Sequence, residues 1–166
     1  MLTPGDDAAI ITRDRTLSFA DCVRVLPSPV PSIVAAPSID TILAVYAALD
    51  ARRPLVLVHA KLPAAERARQ LASITALPDD TAFVLFTSGS TGAARGVILP
   101  YTAILAAAAA SAARLGWRDD DRWLSCLPMA HAGGLSIVVR CLVARRSIVL
   151  HDGEFDPYAV LELVRA

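Results

Sequence analysis

Short apolar runs alternate along the chain with stretches of helical periodicity, and this alternation limits the possible folds more than any other feature. Such runs are typical of strands buried on both faces of a parallel sheet. They occur at LVLVH (55–59), AFVLF (82–86), WLSCLP (123–128) and SIVLH (147–151). Helical segments at 38–53, 63–77, 102–115 and 132–144 lie between or beside them. The pattern predicts an α/β domain, a layered sheet with flanking helices.

Local residue types predict where several elements begin and end. Residues 8–26 are expected to form a short strand and a short helix with Ser18 as its N-cap. The proline-rich segment LPSPVPSIVAAPS (26–38) predicts an extended connector with at most an edge strand, because proline removes a backbone donor. Pro63 opens a helix that we expect to turn Leu71 towards the core.

A polar segment, FTSGSTGAARGV (86–97), stands between two of the apolar runs. Its glycines allow the backbone to approach a ligand closely, and successive N–H groups form a concavity of the size of an anion. Arg95 adds a positive charge and a forked set of donors. The segment therefore predicts a loop that holds a chain of phosphates.

Two other glycine-rich loops do not fit this segment, and a third interpretation stays open. A Walker loop needs Gly-Lys-Ser/Thr, but Gly92 is followed by two alanines. A nucleophile elbow needs G-x-S-x-G, and the segment from Gly89 to Gly92 is one residue too short. A solvated hairpin turn stays open on the residues alone, since Gly, Ser and Thr also favour turns.

Residues 87–97, TSGSTGAARGV, resemble the phosphate-binding motif of the adenylate-forming (AMP-binding) superfamily, which includes acyl-CoA synthetases. The usual pattern in that family is TSGSTG, any residue, Pro, Lys, Gly, Val. This chain departs from it at Ala94 and at Arg95, which keeps the charge but not the compact ammonium of lysine. The segments LPDDTAFVLF (77–86) and LPMAHAGGL (127–135) are also similar to family segments, and the resemblance covers about residues 38–160.

The resemblance implies roles for particular residues. His131, Gly133 and Gly134 would line the substrate pocket, although the two glycines equally fit the start of a helix. ATP, Mg²⁺ and coenzyme A are the implied cofactors, and a carboxylic acid is the implied substrate. The residues that would hold the phosphates of ATP are Thr87, Ser88, Gly89, Ser90, Thr91, Gly92 and Arg95.

Other parts of the family pattern are not found in this sequence. The catalytic lysine, the metal-placing acid and the small C-terminal domain belong to later family segments, so no catalytic residue or metal ligand is expected here. Residues 1–166 are expected to be one domain, the first portion of the family's large domain. We expect the isolated chain to be inactive, and to self-associate or to bind a second chain that completes the domain.

The segment LPMAHAGGL is most similar to the corresponding segment of the o-succinylbenzoate-CoA ligases of menaquinone synthesis. A general acyl- or aryl-CoA ligase is the alternative. These enzymes adenylate a carboxylic acid and then transfer it to a thiol. A second hypothesis is a non-catalytic remnant or interaction module that retains the phosphate loop.

Composition excludes several other classes of protein. The net charge of zero argues against nucleic-acid binding, and no apolar window or leader predicts a membrane segment. Cys22, Cys126 and Cys141 are few and widely spaced, which predicts reduced thiols in a cytoplasm and no metal site. His59 and His151 are interpreted as strand ends without a function. A hydrophobic fraction of 55% indicates either that much of the chain is core or that an apolar face is covered by a partner.

Overall fold

The computed structural model describes residues 2–87, 94–151 and 154–165, which fold into two four-stranded sheets with flanking helices. No helix among these residues is both long and apolar enough to cross a bilayer. In chain order the elements are β1 (Ala8–Ile11), β2 (Thr16–Ser18), α1 (Phe19–Arg24), β3 (Ser32–Ala35), α2 (Ile39–Ala51), β4 (Leu55–His59), α3 (Ala64–Ala72), β5 (Thr81–Thr87), β6 (Arg95–Pro100), α4 (Tyr101–Leu115), β7 (Arg122–Ser125), α5 (Ala132–Ala144), β8 (Ser147–Leu150) and α6 (Pro157–Arg165).

Each sheet has three parallel strands and one antiparallel strand at its edge. The first sheet has the order β2-β1-β8-β7, in which β1, β8 and β7 are parallel and β2 is antiparallel. The second has the order β3-β4-β5-β6, in which only β6 is antiparallel to its neighbour. The α/β prediction is confirmed. The division into two sheets was not predicted, and it arises because β8 returns to pair with β1, where Ile10 lies opposite Ile148.

The core is built around α2, whose residues 41–49 are all buried. A helix that is apolar on every side is enclosed by its neighbours, unlike a surface helix with a single apolar face. The same core cluster contains Leu57 and Phe83 from the second sheet and Ile148 from the first. The two sheets and α2 therefore share one hydrophobic core.

Local capping and edge-strand predictions are confirmed near the N-terminus. The Ser18 hydroxyl accepts a hydrogen bond from Asp21 N at 3.1 Å, and the Asp21 carboxylate accepts one from Ser18 N at 3.0 Å. This capping box lowers the pKa of Asp21, because the hydrogen bonds from Ser18 favour the charged carboxylate. The proline-rich segment contributes the edge strand β3, as expected.

Two local predictions were incomplete or wrong. The segment 8–26 contains β2 as well as the predicted strand and helix, because residues 16–18 turn back to pair with β1. Leu71 does not face the core and is 37% exposed. Its neighbour Gln70 is buried instead, since α3 presents a different face to the sheet and ends at Ala72.

Candidate functional site

Thr87 and Arg95, the described residues at the two ends of the polar motif, lie where β5 ends and β6 begins. Thr87 and Arg95 lie opposite each other as the last pair of this antiparallel ladder. Thr87 Oγ1 donates a hydrogen bond to the Arg95 carbonyl at 3.4 Å, and both residues are exposed. The two ends of the motif are therefore held side by side. The remaining predicted phosphate-binding residues lie outside the described part of the chain, and they are Ser88, Gly89, Ser90, Thr91 and Gly92.

This hairpin end shares one edge of the sheet with the end of β4. β4 and β5 are parallel, with Leu55 opposite Phe83 and Leu57 opposite Leu85. His59 and Thr87, the last residues of the two strands, therefore leave the sheet at the same edge. In open α/β sheets ligands bind in crevices outside the carboxyl ends of the strands. The hairpin end and His59 thus lie where a ligand site is expected.

His131 lies at the start of α5, the helix that follows β7 of the first sheet. Its ring contacts the ring of His59, which ends β4 in the second sheet. His131 occupies the N-cap position, and its side chain makes no capping hydrogen bond. The ring centroids of His59 and His131 are 5.1 Å apart, with an interplanar angle of 46°. This contact joins the β4 end to the loop that follows β7. A function for His131 in substrate binding remains a prediction.

The two glycines after His131 have different surroundings. Gly133 is exposed, and a Cβ added there would meet only the Leu127 side chain, at 3.4 Å. Gly134 is buried against the preceding loop, where an added Cβ would lie 2.3 Å from the Pro128 carbonyl oxygen. Gly134 therefore permits close packing of α5 on the Leu127 and Pro128 backbone. A contact of either glycine with substrate stays a prediction.

A cavity of about 380 Å³ opens beside these histidines and is called here the His59 cavity. Its residues come from the ends of β3, β4, β7 and β8, so that both sheets contribute to it. Most of its wall is apolar, and the polar side chains include three nitrogen bases. Its lining includes Ala35, Pro37, His59, Lys61, Cys126, Leu127, Pro128, His151 and Phe155.

Hydrogen bonds orient the two histidines that line the cavity. Lys61 N donates to His59 Nδ1 at 3.1 Å. Burial, and then the nearby His131 and Lys61, lower the pKa of His59, because each disfavours an added positive charge. His151 Nε2 lies 2.9 Å from the Glu154 carbonyl oxygen. The cavity therefore presents the polar residues His59, Lys61, His151 and Glu154 within mostly apolar walls.

Sequence reasoning missed His59, Lys61 and His151 as site residues. A signal was present, because His59 and His151 each directly follow a buried strand, and the carboxyl ends of parallel strands meet at one edge. What the sequence did not reveal was that strands of two different sheets converge on one cavity. Among the described residues, no group of three or more His, Cys, Asp or Glu side chains is arranged to hold a metal ion.

The three cysteines are free thiols with unequal access. Cys22 and Cys141 are buried, and burial raises the pKa of Cys22 to about 11 and that of Cys141 to about 12. Cys126 is half-buried and lines the His59 cavity. At pH 8, we expect iodoacetamide to alkylate Cys126 at least about a hundredfold faster than the other two, because the thiolate is the nucleophile.

Mass spectrometry of timed samples checks this expectation and locates the modified residue. The Cys126→Ala variant is the matched control and should lose the fast reaction. Fast alkylation of Cys141 in the folded chain would contradict the burial of that thiol.

A family model described as "AMP-binding enzyme" matches residues 73–166. Curated relatives named 2-succinylbenzoate–CoA ligase include one from Bacillus cereus (strain Q1), 44% identical over 75 residues. That alignment covers 43% of this chain and 16% of the relative. A second, from Bacillus cytotoxicus, is 43% identical over 74 residues, covering 45% of this chain and 15% of the relative.

Solved structures have a similar fold. O-succinylbenzoate coenzyme A synthetase from Bacillus subtilis, in complex with ATP and magnesium ion, matches with a TM-score of 0.81 and 22% identity. The match covers 98% of this chain and 58% of that one. ATP-bound MatB from Rhodopseudomonas palustris matches with a TM-score of 0.74 and 18% identity, covering 98% of this chain and 45% of that one. The chain thus spans about half the length of these solved proteins, 58% of the first and 45% of the second.

Proposed function

Because this chain belongs to the AMP-binding enzymes, we propose that it forms part of the adenylation site of an ATP-dependent acyl-CoA ligase. The observation that carries the proposal is the position of the motif. Thr87 and Arg95 hold its two ends together at the carboxyl edge of the second sheet, beside the end of β4. The relatives and solved structures described above are ligases and synthetases, which gives the non-catalytic alternative no support.

The residues of the motif suit the phosphates of ATP. Arg95 is exposed and makes no ion pair within the described part of the chain, so its guanidinium is available to an anion. Ser88, Ser90 and Thr91 would add hydroxyl donors, and Gly89 and Gly92 backbone N–H groups. Magnesium bound with ATP would neutralise phosphate charge during adenylation.

The His59 cavity suits the acyl group of the substrate. Its apolar walls exclude water from an acyl chain or ring, and its few donors can orient oxygen atoms. His131, in contact with His59, lies beside this cavity. We propose that the acid lies in the cavity with its carboxylate directed to the β5–β6 hairpin end. The names of the curated relatives favour 2-succinylbenzoate as that acid, with coenzyme A as the thiol.

An apolar face next to the hairpin suits the remainder of the adenylation domain. The β6 side chain of Val97 is 41% exposed, and β6 is the edge strand of its sheet. A groove of about 450 Å³ between α4 and α5 continues this face, with Ala107 and Leu135 in its lining. We propose that further domain residues cover the face, in the same polypeptide or in a second chain within the cytoplasm, where the three free thiols stay reduced.

Exchange of pyrophosphate into ATP tests this function. We expect the isolated chain to show no acid-dependent exchange. The complete polypeptide or co-purified complex that carries it should show exchange with 2-succinylbenzoate. In that complete protein, Arg95→Ala should lower exchange about 100-fold, because one charge-stabilising donor is lost from the site. Arg95→Lys should retain most of the activity, since lysine is the residue usual in the family motif.

Arg114→Ala is the matched control, because Arg114 is an exposed arginine at the far end of α4. It should leave exchange unchanged. If the complete protein shows no exchange with any carboxylic acid, the proposed function is wrong. If exchange occurs and Arg95→Ala does not lower it, the role given to Arg95 is wrong.

A further inference from the structure

We propose that His59 is a specificity-determining residue, whose Nε2–H group donates a hydrogen bond to an oxygen atom of the acyl substrate in the His59 cavity. The inference rests on the proposed function, because it concerns the acid that the ligase would adenylate. It goes beyond the site residues that the resemblance implies, since His131 is the only histidine among them.

The Lys61 backbone determines which nitrogen of His59 carries the proton. Lys61 N donates to His59 Nδ1 at 3.1 Å, so Nδ1 acts as the acceptor. A neutral imidazole that accepts at Nδ1 must carry its hydrogen on Nε2. Within the described part of the chain, no hydrogen bond occupies Nε2. His59 therefore has one donor left, and the residue lines the cavity.

The surroundings of His59 favour this neutral tautomer over the imidazolium ion. A protonated ring would turn an Nδ1–H towards the Lys61 N–H, so that two donors would face each other. It would also place a positive charge beside the His131 ring and the Lys61 ammonium. The other titratable groups that line the cavity are Cys126, His151 and Glu154. Burial lowers the pKa of His59 most, and the nearby His131 and Lys61 act in the same direction.

The apolar walls around His59 give its Nε2–H donor selectivity. Leu127, Pro128 and Phe155 surround it with surface that offers no hydrogen bond from a side chain. An acid whose oxygen meets His59 Nε2–H keeps a hydrogen bond on leaving water, whereas an apolar molecule of similar size gains nothing from the donor. The contact with His131 holds the ring in place, so the donor is fixed before the ligand arrives.

The tautomer is measured directly by long-range ¹H–¹⁵N NMR of the chain. The sequence contains three histidines, so single substitutions assign every imidazole signal. At pH 7.5 we expect His59 to give the pattern of the Nε2–H tautomer, and its Nε2 signal to shift when 2-succinylbenzoate is added. An Nδ1–H tautomer or an imidazolium ion at this pH would overturn the inference.

Binding to substituted chains tests the donor itself. The probes are 2-succinylbenzoate and toluene, which fills an apolar cavity but accepts no conventional hydrogen bond. His59→Leu should weaken 2-succinylbenzoate binding about five- to tenfold, and His59→Gln, which restores an N–H donor, should recover most of it. Toluene should bind all three chains equally.

The results distinguish a failure of the inference about His59 from a failure of the proposed function. Equal binding of 2-succinylbenzoate by the wild type and His59→Leu overturns the inference, even when the complete protein exchanges pyrophosphate normally. Absence of exchange in the complete protein overturns the proposed function, and the assigned role of His59 with it. If His59→Leu does not fold, the comparison of His59→Gln with the wild type and the tautomer measurement still decide the matter.

Discussion

Gly134→Ala is expected to destabilise the folded chain by about 3 kcal/mol, at the upper end of the range for overpacking. The added Cβ would lie 2.3 Å from the Pro128 carbonyl oxygen, 2.6 Å from its carbon and 2.7 Å from the Leu127 carbonyl oxygen. All three are backbone atoms, so no side-chain rotation relieves the clash. The start of α5 would have to move away from the loop, and His131 would move with it.

Urea unfolding measures this effect, and Gly133→Ala is its matched control. The substitution is chemically identical and one residue away, but the added Cβ would meet only the flexible Leu127 side chain, at 3.4 Å. Because alanine favours helix over glycine, Gly133→Ala should be neutral or stabilising by up to about 1 kcal/mol. Equal free energies of unfolding for the two variants would show that α5 does not pack on the loop in this way.

Tyr46→Ala is expected to lower the free energy of unfolding by about 3–5 kcal/mol, the range for deleting a large buried aromatic side chain. Tyr46 is 0% exposed and belongs to α2, the helix that the core encloses. Its ring lies in the same core cluster as Cys22 of α1 and Cys141 of α5. Its removal would therefore leave a cavity where several elements meet.

Tyr46→Phe separates the ring from its hydroxyl. The Tyr46 hydroxyl has no hydrogen-bond partner within the described part of the chain. Replacing a buried, unsatisfied hydroxyl with hydrogen should be neutral or stabilising by about 1 kcal/mol. Tyr46→Phe destabilising the chain as much as Tyr46→Ala would contradict both the burial of the ring and the absence of a partner.

The same hydroxyl predicts a dependence of stability on alkaline pH. Burial, followed by the neighbouring Cys22 and Cys141, raises the pKa of Tyr46 well above the usual value of a tyrosine. Its contribution to stability is therefore complete below about pH 10, the pKa in the unfolded chain, and declines as pH rises further, because the unfolded chain releases the proton first. The wild type should lose more stability than Tyr46→Phe between pH 9 and about 11. Parallel pH profiles for the two proteins would refute this.

Much of the local structure follows from the sequence. The N-cap at Ser18, the strand LVLVH and the helix at 132–144 were all predicted, and the structure has β4 at Leu55–His59 and α5 at Ala132–Ala144. Hydrogen bonding and side-chain periodicity over a few residues determine such elements. The resemblance of the motif at 87–97 also rests on neighbouring residues, and the family match to residues 73–166 agrees with it.

The arrangement of the candidate site depends on contacts between distant parts of the chain. His59 and His131 meet because β4 belongs to one sheet, α5 follows a strand of the other, and both sheets pack on α2. No local sequence pattern predicts this contact, because a histidine at the end of a buried strand has the same sequence neighbours whether or not a second ring lies beside it. The sequence by itself determined most of the elements, the motif and the family. Only the tertiary structure decided which strand ends share a cavity, because that depends on the packing of whole sheets around a common core.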